Sequence, residues 1–298
     1  MSTPFTLDNR AQSGFQNAAL YDTHRPSYPP EAVSKLLTHL NLAGVAGAKI
    51  VDLACGTGKF TELLAKREEG FEVVGVEPHA GMREELVKKG LEGVVVRGGD
   101  AGNMGIEEEW ADGVIAAQVR LLSSDVAFHW FATEDSLKEI HRVLKPGGSY
   151  GMIWNIEDYN APKDWPSRTK WQQKLKDIIY SIEDGHPRFR HLQWKQVFEK
   201  QQDSSPLQAL ADTFTHHMPK FSLPIGEESV DWVVYLTDEA VWDRYSTLSQ
   251  ISNLKGSGRY EEVRKEVFDS LKAEGVERNA AGEVASHGKT FIAWTSRI

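Results

Sequence analysis

"VDLACGTGKF", residues 51–60, decides what kind of molecule this is. Apolar Val51 and Leu53 and the small Ala54 run into Gly56 and Gly58, the pattern of a buried strand that stops at a glycine turn. In an open α/β sheet, ligands bind beyond the carboxyl ends of the strands, so a nucleotide-like cofactor is expected at this loop. Gly56, Gly58 and Lys59 come close to a phosphate-binding P-loop. That loop needs Gly-x-x-x-x-Gly-Lys followed by Ser or Thr, whose hydroxyl holds magnesium. Here Lys59 is followed by Phe60, and Leu53 stands where the first glycine belongs. The dinucleotide fingerprint Gly-x-Gly-x-x-Gly asks for a third glycine at position 61, where the chain has Thr61. What remains is Asp52-x-Ala54-x-Gly56-x-Gly58, an acid at a strand end followed by a turn with no pyrophosphate to bind.

Outward from this loop the hydrophobic period alternates. "PEAVSKLLTHLNL" (30–42) and "KFTELLAKREE" (59–69) have helical spacing, and "FEVVGVEP" (71–78) reads as a second strand. "AGMREELVKKG" (80–90) is a second crossover helix, "LEGVVVRGGDA" (91–101) a third strand and "ADGVIAAQ" (111–118) a fourth. "TEDSLKEIHRVLKPGG" (133–148) reads as a helix and "SYGMIWN" (149–155) as a fifth strand. This rhythm means βαβ units and a mostly parallel sheet. Beyond residue 160 the pattern turns helical, with strands expected near 212–224 and 288–298. The division expected is a lid segment and first helix (1–44), a cofactor-binding core (45–160), a helical substrate cap (161–283) and a final strand (284–298).

The bulk numbers narrow the partners. Against 43 acidic side chains stand 34 basic ones, a net charge of −9, which is the wrong sign for a general nucleic-acid binder. A single cysteine, Cys55, precludes an intramolecular disulfide. No stretch approaches the length of a membrane span, and the polar N-terminus lacks a signal-peptide pattern, so a cytoplasmic protein without membrane partners is expected. His216-His217 has no third ligand at metal spacing, and no metal is expected.

Taken together, these motifs resemble the class I S-adenosylmethionine (SAM)-dependent methyltransferases. "DLACGTG" is similar to their first motif, and Glu77, 19 residues after Gly58, matches the acid that accepts from ribose hydroxyls. "EPHAGM" resembles the family's Glu-Pro-x-x-x-Met, and "GGDAGNM" its third motif. "LKEIHRVLKPGGSYGMIWN" resembles the type 11 domain, and "FQNAALYDTHRPSYP" the N-terminal segment of the trans-aconitate methyltransferase-like, small-molecule branch. The resemblance implies a Rossmann-like seven-stranded α/β sheet with a helical cap, SAM as cofactor and a small-molecule acceptor. It implies cofactor contacts from Phe15, Tyr21, Arg25, Asp52, Ala54, Gly56, Gly58, Glu77, Pro78, His79, Met82, Asp100, Ala101 and Gln118. His129, Trp130 and Trp154 become the residues expected to meet the acceptor, with His129 as catalytic base if the acceptor carries a proton.

One departure stands out. The family pattern after the fourth strand resembles Ala-Ala-Gln-Ala-x-His-Trp-Phe, whereas this chain reads "AAQVRLLSSDVAFHWF". Removing Val119 to Val126 restores the pattern, so these residues are read as a specialised loop or a splicing product. The expected reaction is methyl transfer to an oxygen, with nitrogen and sulfur less favoured. A carboxylate acceptor would need no base, and Arg168, Arg188 or Arg190 is then expected to position it. Two alternatives stay open: a SAM-binding protein with lost or altered catalysis, and an NAD-dependent oxidoreductase, which Thr61 and "EPHAGM" disfavour.

Overall fold

The computed structural model describes residues 27–117, 132–182, 185, 188–201 and 220–298. Phe15, Tyr21, Arg25, Gln118, His129, Trp130 and the segment 119–126 lie outside the described residues.

The chain enters through α1 (Pro30–His39), whose proline start leaves no wasted donor and whose Ala32, Val33, Leu36 and Leu37 are buried. β1 (Lys49–Leu53), α2 (Lys59–Ala65), β2 (Glu72–Val76), α3 (Ala80–Lys88) and β3 (Val94–Arg97) follow in strict alternation. After β4 (Ala111–Ala117), α4 (Glu134–Val143) leads into the long β5 (Leu144–Glu157). β1, β2 and β4 are buried along nearly their whole length, as expected of central parallel strands covered on both faces. β3 alternates between half-buried and exposed because it is an edge.

These strands and two later ones form one seven-stranded sheet in the order β3-β2-β1-β4-β5-β7-β6. The first five run parallel, and the last strand of the chain, β7 (Val284–Ser296), runs antiparallel between β5 and β6 (Gly226–Leu236). The expected Rossmann-like architecture is therefore present, with its switch point between β1 and β4. One hydrophobic cluster packs α4 and the 189–198 region against one face, and another packs α1 and α2 against the other.

The sixth strand corrects the sequence expectation. Of the expected 212–224, residues 212–219 lie outside the described residues, and Phe221 makes an isolated bridge to Arg297. The strand that pairs with β7 is Gly226–Leu236, a stretch that falls in the part of the chain read as helical from sequence. Its alternation places Glu228, Val230, Trp232, Val234 and Leu236 on one face, and the polar face is tolerated because β6 is a sheet edge. β6 and β7 pair antiparallel although they are far apart in the chain. The helices α7 (Asp238–Ser246), α8 (Ser249–Ser252) and α9 (Gly258–Leu271) lie between the two strands.

Those helices, with α5 (Lys170–Ser181), enclose a third core containing Trp171, Leu175, Trp242, Tyr245 and Val263. The short α6 (Gln196–Glu199) belongs instead to the sheet-side cluster. Thr133, Thr169, Thr237 and Ser257 cap α4, α5, α7 and α9, each accepting a backbone N–H from the first turn. The join between cap and sheet is polar and specific. β5 ends at Glu157, opposite Gly288, so β7 loses its partner on that side at His287. Gln172 replaces it: its amide donates to the His287 carbonyl at 2.7 Å and accepts from the His287 N–H at 3.2 Å. Arg168 donates to the Gly288 carbonyl at 2.7 Å while buried Asp158 holds its guanidinium at 2.9 Å.

Candidate active site

The loop after β1 is wound by three left-handed residues at alternate positions, Ala54 (φ 57°), Gly56 (φ 57°) and Gly58 (φ 84°). Gly58 is also where α2 begins, and a Cβ there would sit 2.1 Å from Cδ1 of Leu86 on α3. Only glycine lets α2, α3 and the loop approach this closely. The turn is closed by Gly58 N–H donating to the Cys55 carbonyl at 2.9 Å and fixed to β2 by Cys55 N–H donating to Val76 at 3.1 Å.

Asp52 is completely buried at the end of β1. One carboxylate oxygen accepts from the Thr61 hydroxyl at 2.6 Å, and the other has no partner among the described residues. Burial drives its pKa up to about 7; Thr61 opposes the rise and the charge of Glu77 adds to it. Glu77 follows β2, one strand over, and is buried too. It accepts from Gly56 N–H at 3.1 Å and from His79 N–H at 2.9 Å, so its carboxylate ties the first loop to the second. Burial raises its pKa to about 7 against those two N–H donors and the charge of Arg83.

His79 caps α3, Pro78 is half-buried beside it, and Met82 is buried one turn on. Asp100 follows β3 and accepts from the N–H groups of Gly102 (2.8 Å) and Asn103 (3.0 Å), a turn that sets Ala101 into the core. Asp52, Ala54, Gly56, Gly58, Glu77, Pro78, His79, Met82, Asp100 and Ala101 thus sit on three neighbouring loops at one edge of the sheet.

Trp154 lies on β5, on the other side of β4, fully buried among Trp194 (4.8 Å between ring centroids), Phe189 (5.1 Å) and Phe291 (6.1 Å). Arg168, expected to position an acceptor, is instead committed to Asp158 and the β7 backbone. Arg188 donates to Ser249 at 3.0 Å, and Arg190 donates to Asn160 at 3.2 Å while lying over the Tyr180 ring.

Two residues of the site escaped the sequence reading. Thr61 had counted only as the missing third glycine, yet its hydroxyl orients Asp52. Arg83 donates to the Glu77 carbonyl at 2.7 Å. A hydroxyl nine positions after the first acid was the available signal for Thr61; Arg83 had none beyond sharing a helix with Met82. Among the described residues, no cluster of three or more His, Cys, Asp or Glu stands ready for a metal, and no helix is long and apolar enough to cross a membrane.

Comparison with known proteins places this geometry in context. Residues 51–152 match a family model described as a methyltransferase domain. The chain is 30% identical over 229 residues to an uncharacterized methyltransferase of Mycobacterium tuberculosis, covering 77% of this chain and 73% of that protein. It is 28% identical over 138 residues to a malonyl-[acyl-carrier protein] O-methyltransferase of Priestia megaterium, covering 45% of this chain and 46% of that one. A solved structure from Bacillus halodurans, of a protein assigned as a methyltransferase, shares the fold with a TM-score of 0.50 at 17% identity, over 88% of this chain and 98% of that one.

Proposed function

Because this chain belongs to the class I SAM-dependent methyltransferases, we propose that it methylates an oxygen, carboxylate or hydroxyl, of a small organic molecule. The family assignment sets aside the NAD-dependent oxidoreductase. The strand-end loops fit SAM as cofactor. Asp52 keeps one buried carboxylate oxygen without a partner among the described residues, and Glu77, held by two backbone N–H groups, retains lone pairs for hydroxyl donors. The crowding at Gly58 brings main chain, not side chain, to the cofactor's edge.

In this reading Asp52, Ala54, Gly56 and Gly58 hold the amino-acid half of the cofactor and Glu77 its ribose. Pro78, His79 and Met82 flank the adenine, and Asp100 and Ala101 meet its edge. When bound, SAM supplies a methyl carbon on a positively charged sulfur: the acceptor oxygen's lone pair forms the new C–O bond while the C–S electron pair stays on sulfur as a neutral thioether. The chain's own work is to align the acceptor and exclude water. A carboxylate acceptor has no proton to remove, whereas a hydroxyl would require a base, the role assigned to His129.

The observation that carries the cofactor assignment is the meeting of the two buried acids' loops at Gly56. The O-methyltransferase relative and the acidic balance of the chain support an oxygen acceptor on a small molecule. Transfer of radiolabelled methyl from SAM at sub-saturating concentration to a panel of small carboxylic acids and alcohols tests it, with Glu77→Gln as the control that should lower incorporation in step with its weaker cofactor binding. A second reading, SAM binding without methylation, is motivated by residues 119–126. It predicts tight cofactor binding with no transfer to any acceptor, and deletion of Val119 to Val126 restoring transfer.

A further inference from the structure

On the side away from the cofactor loops the sheet ends in β6, which has no strand on its outer edge among the described residues. The strand pairs with β7 in unbroken register, from Gly226 opposite Trp294 to Leu236 opposite Val284. Natural sheet edges are usually short, bulged, or guarded by lysine or proline. β6 is long and unbulged, and its sequence "GEESVDWVVYL" contains neither lysine nor proline. Its acids, Glu227, Glu228 and Asp231, stand in the first half, and the rest of the second half is apolar. Among the described residues, Val233 (47% exposed) and Tyr235 (41%) are the two large apolar side chains that open to solvent from one face of the same strand.

The hydrogen-bond directions of β7 fix which groups of β6 look outward. Ala285 N–H donates to the Glu277 carbonyl, His287 N–H to the Gln172 side chain and Arg297 N–H to the Gly148 carbonyl, all on the side away from β6. Main-chain direction alternates along a strand, so the even-numbered residues of β7 face β6 and bond its even-numbered residues. The N–H and C=O groups of Glu227, Ser229, Asp231, Val233 and Tyr235 therefore point to the open edge. The acids on this edge are answered within the chain. Glu227 meets Lys195 at 2.6 Å, Glu228 meets Lys35 at 2.5 Å and His39 at 2.7 Å, and Asp231 lies 3.7 Å from Arg168 and 3.8 Å from Lys289. The edge thus offers apolar side chains and outward main chain, with its charge already compensated.

We infer that β6 pairs antiparallel with β6 of a second copy of this chain, about a two-fold axis at Val233. This register lays residues 230–236 on their own copy: Val233 meets Val233, Trp232 meets Val234, Val230 meets Leu236 and Asp231 meets Tyr235. The outward N–H and C=O groups of Asp231, Val233 and Tyr235 then find partners, while Glu227 and Glu228 stay beyond the overlap. An axis moved toward the acids draws Glu228 in, and one moved the other way shortens the apolar overlap. Internal compensation of the acids favours a copy over a foreign basic segment, because no free negative charge is left on the strand to attract one. The cofactor loops follow β1, β2 and β3 toward the far side of the sheet, so pairing at β6 leaves them open in both copies.

Sedimentation velocity of the full chain in about 0.15 M salt tests this. One strand pair buries less surface than a permanent dimer needs, so the wild type should pass from monomer to dimer between about 1 and 100 µM. Val233→Lys and Val233→Glu should each stay monomeric across that range, since each new charge faces its own copy. An equimolar mixture of the two variants should dimerise again. Tyr235→Lys sets a cation opposite Asp231 of the other copy and should tighten the dimer roughly threefold, a readout that holds even if a Val233 variant fails to fold. Val95→Lys, on the opposite edge strand β3, should dimerise as the wild type does. A wild type that stays monomeric at the highest concentration, which leaves the edge to a different partner or to none, would overturn the proposal. So would a dimer that survives or tightens with Val233→Lys, a charge mixture that stays monomeric, or a dimer lost with Val95→Lys.

Discussion

Asp52 and Glu77 hold carboxyl groups near pH 7 that would ionise near 3.8 and 4.5 in an unfolded chain. The folded protein therefore binds more protons than the unfolded one between those values. Its stability falls as pH rises through that window and is lost to these groups above about 7. The Tm of the ligand-free protein should drop from pH 5.5 to 7.5, and thermal scans of Asp52→Asn should show a shallower slope. Cofactor hydroxyl and ammonium donors favour the ionised acids, so SAM affinity should move the opposite way and rise from pH 6 to 8. In Glu77→Gln affinity should fall roughly 10- to 100-fold, as expected for a lost hydrogen bond to a charged group, and the pH dependence should flatten. Both acids were legible from the sequence because they end apolar runs at a fixed spacing. Thr61 was not, since nothing local distinguishes a threonine that orients a carboxylate from one that merely packs. Gly58 makes a sharper stability prediction. Gly58→Ala places a methyl 2.1 Å from Leu86 at a positive φ, and chemical denaturation should show a loss of about 2–4 kcal/mol. Leu86→Ala in the same chain should return the clash component and leave the backbone component.

At the scale of elements, the strands of the parallel half were readable because they are buried on both faces and appear as near-continuous apolar runs. β6 was not, because an edge strand carries acids on its open face and its alternation, from Glu228 to Leu236, competes with a helical reading of the same stretch. The stop of β5 is equally invisible in sequence. It leaves His287 of β7 to the side chain of Gln172, with Arg168 adding a bond to the Gly288 carbonyl, a long-range substitution with no local mark. Arg168→Met would strand the buried Asp158 carboxylate, and since Arg168 is itself partly exposed the expected cost is about 2–4 kcal/mol. Hydrogen exchange offers the specific check for Gln172→Leu. The His287 amide should lose protection while the amides of β7 that pair with β5, from Gly288 onward, keep theirs. Equal loss along the whole strand would mean that Gln172 does not act as a surrogate strand.

At the scale of the molecule, the chain divides its labour between a sheet edge that gathers acids and glycine turns and a helical layer with its own core near the end of β5. The first half was legible because cofactor chemistry dictates residue types at fixed spacings along adjacent strands. The second was legible only as helical, because its buried polar contacts pair residues far apart in sequence: Arg188 with Ser249, Tyr245 with Leu175, Gln172 with His287. The central claim is that the acids after β1 and β2 form the cofactor site of a methyltransferase. Calorimetric titration of S-adenosylhomocysteine into the wild-type protein and into Glu77→Ala tests it most directly. The prediction is a dissociation constant on the order of micromolar, about −8 kcal/mol, for the wild type and no measurable binding to a Glu77→Ala protein that remains folded. Absence of binding to folded wild type, or undiminished binding to the variant, would contradict it.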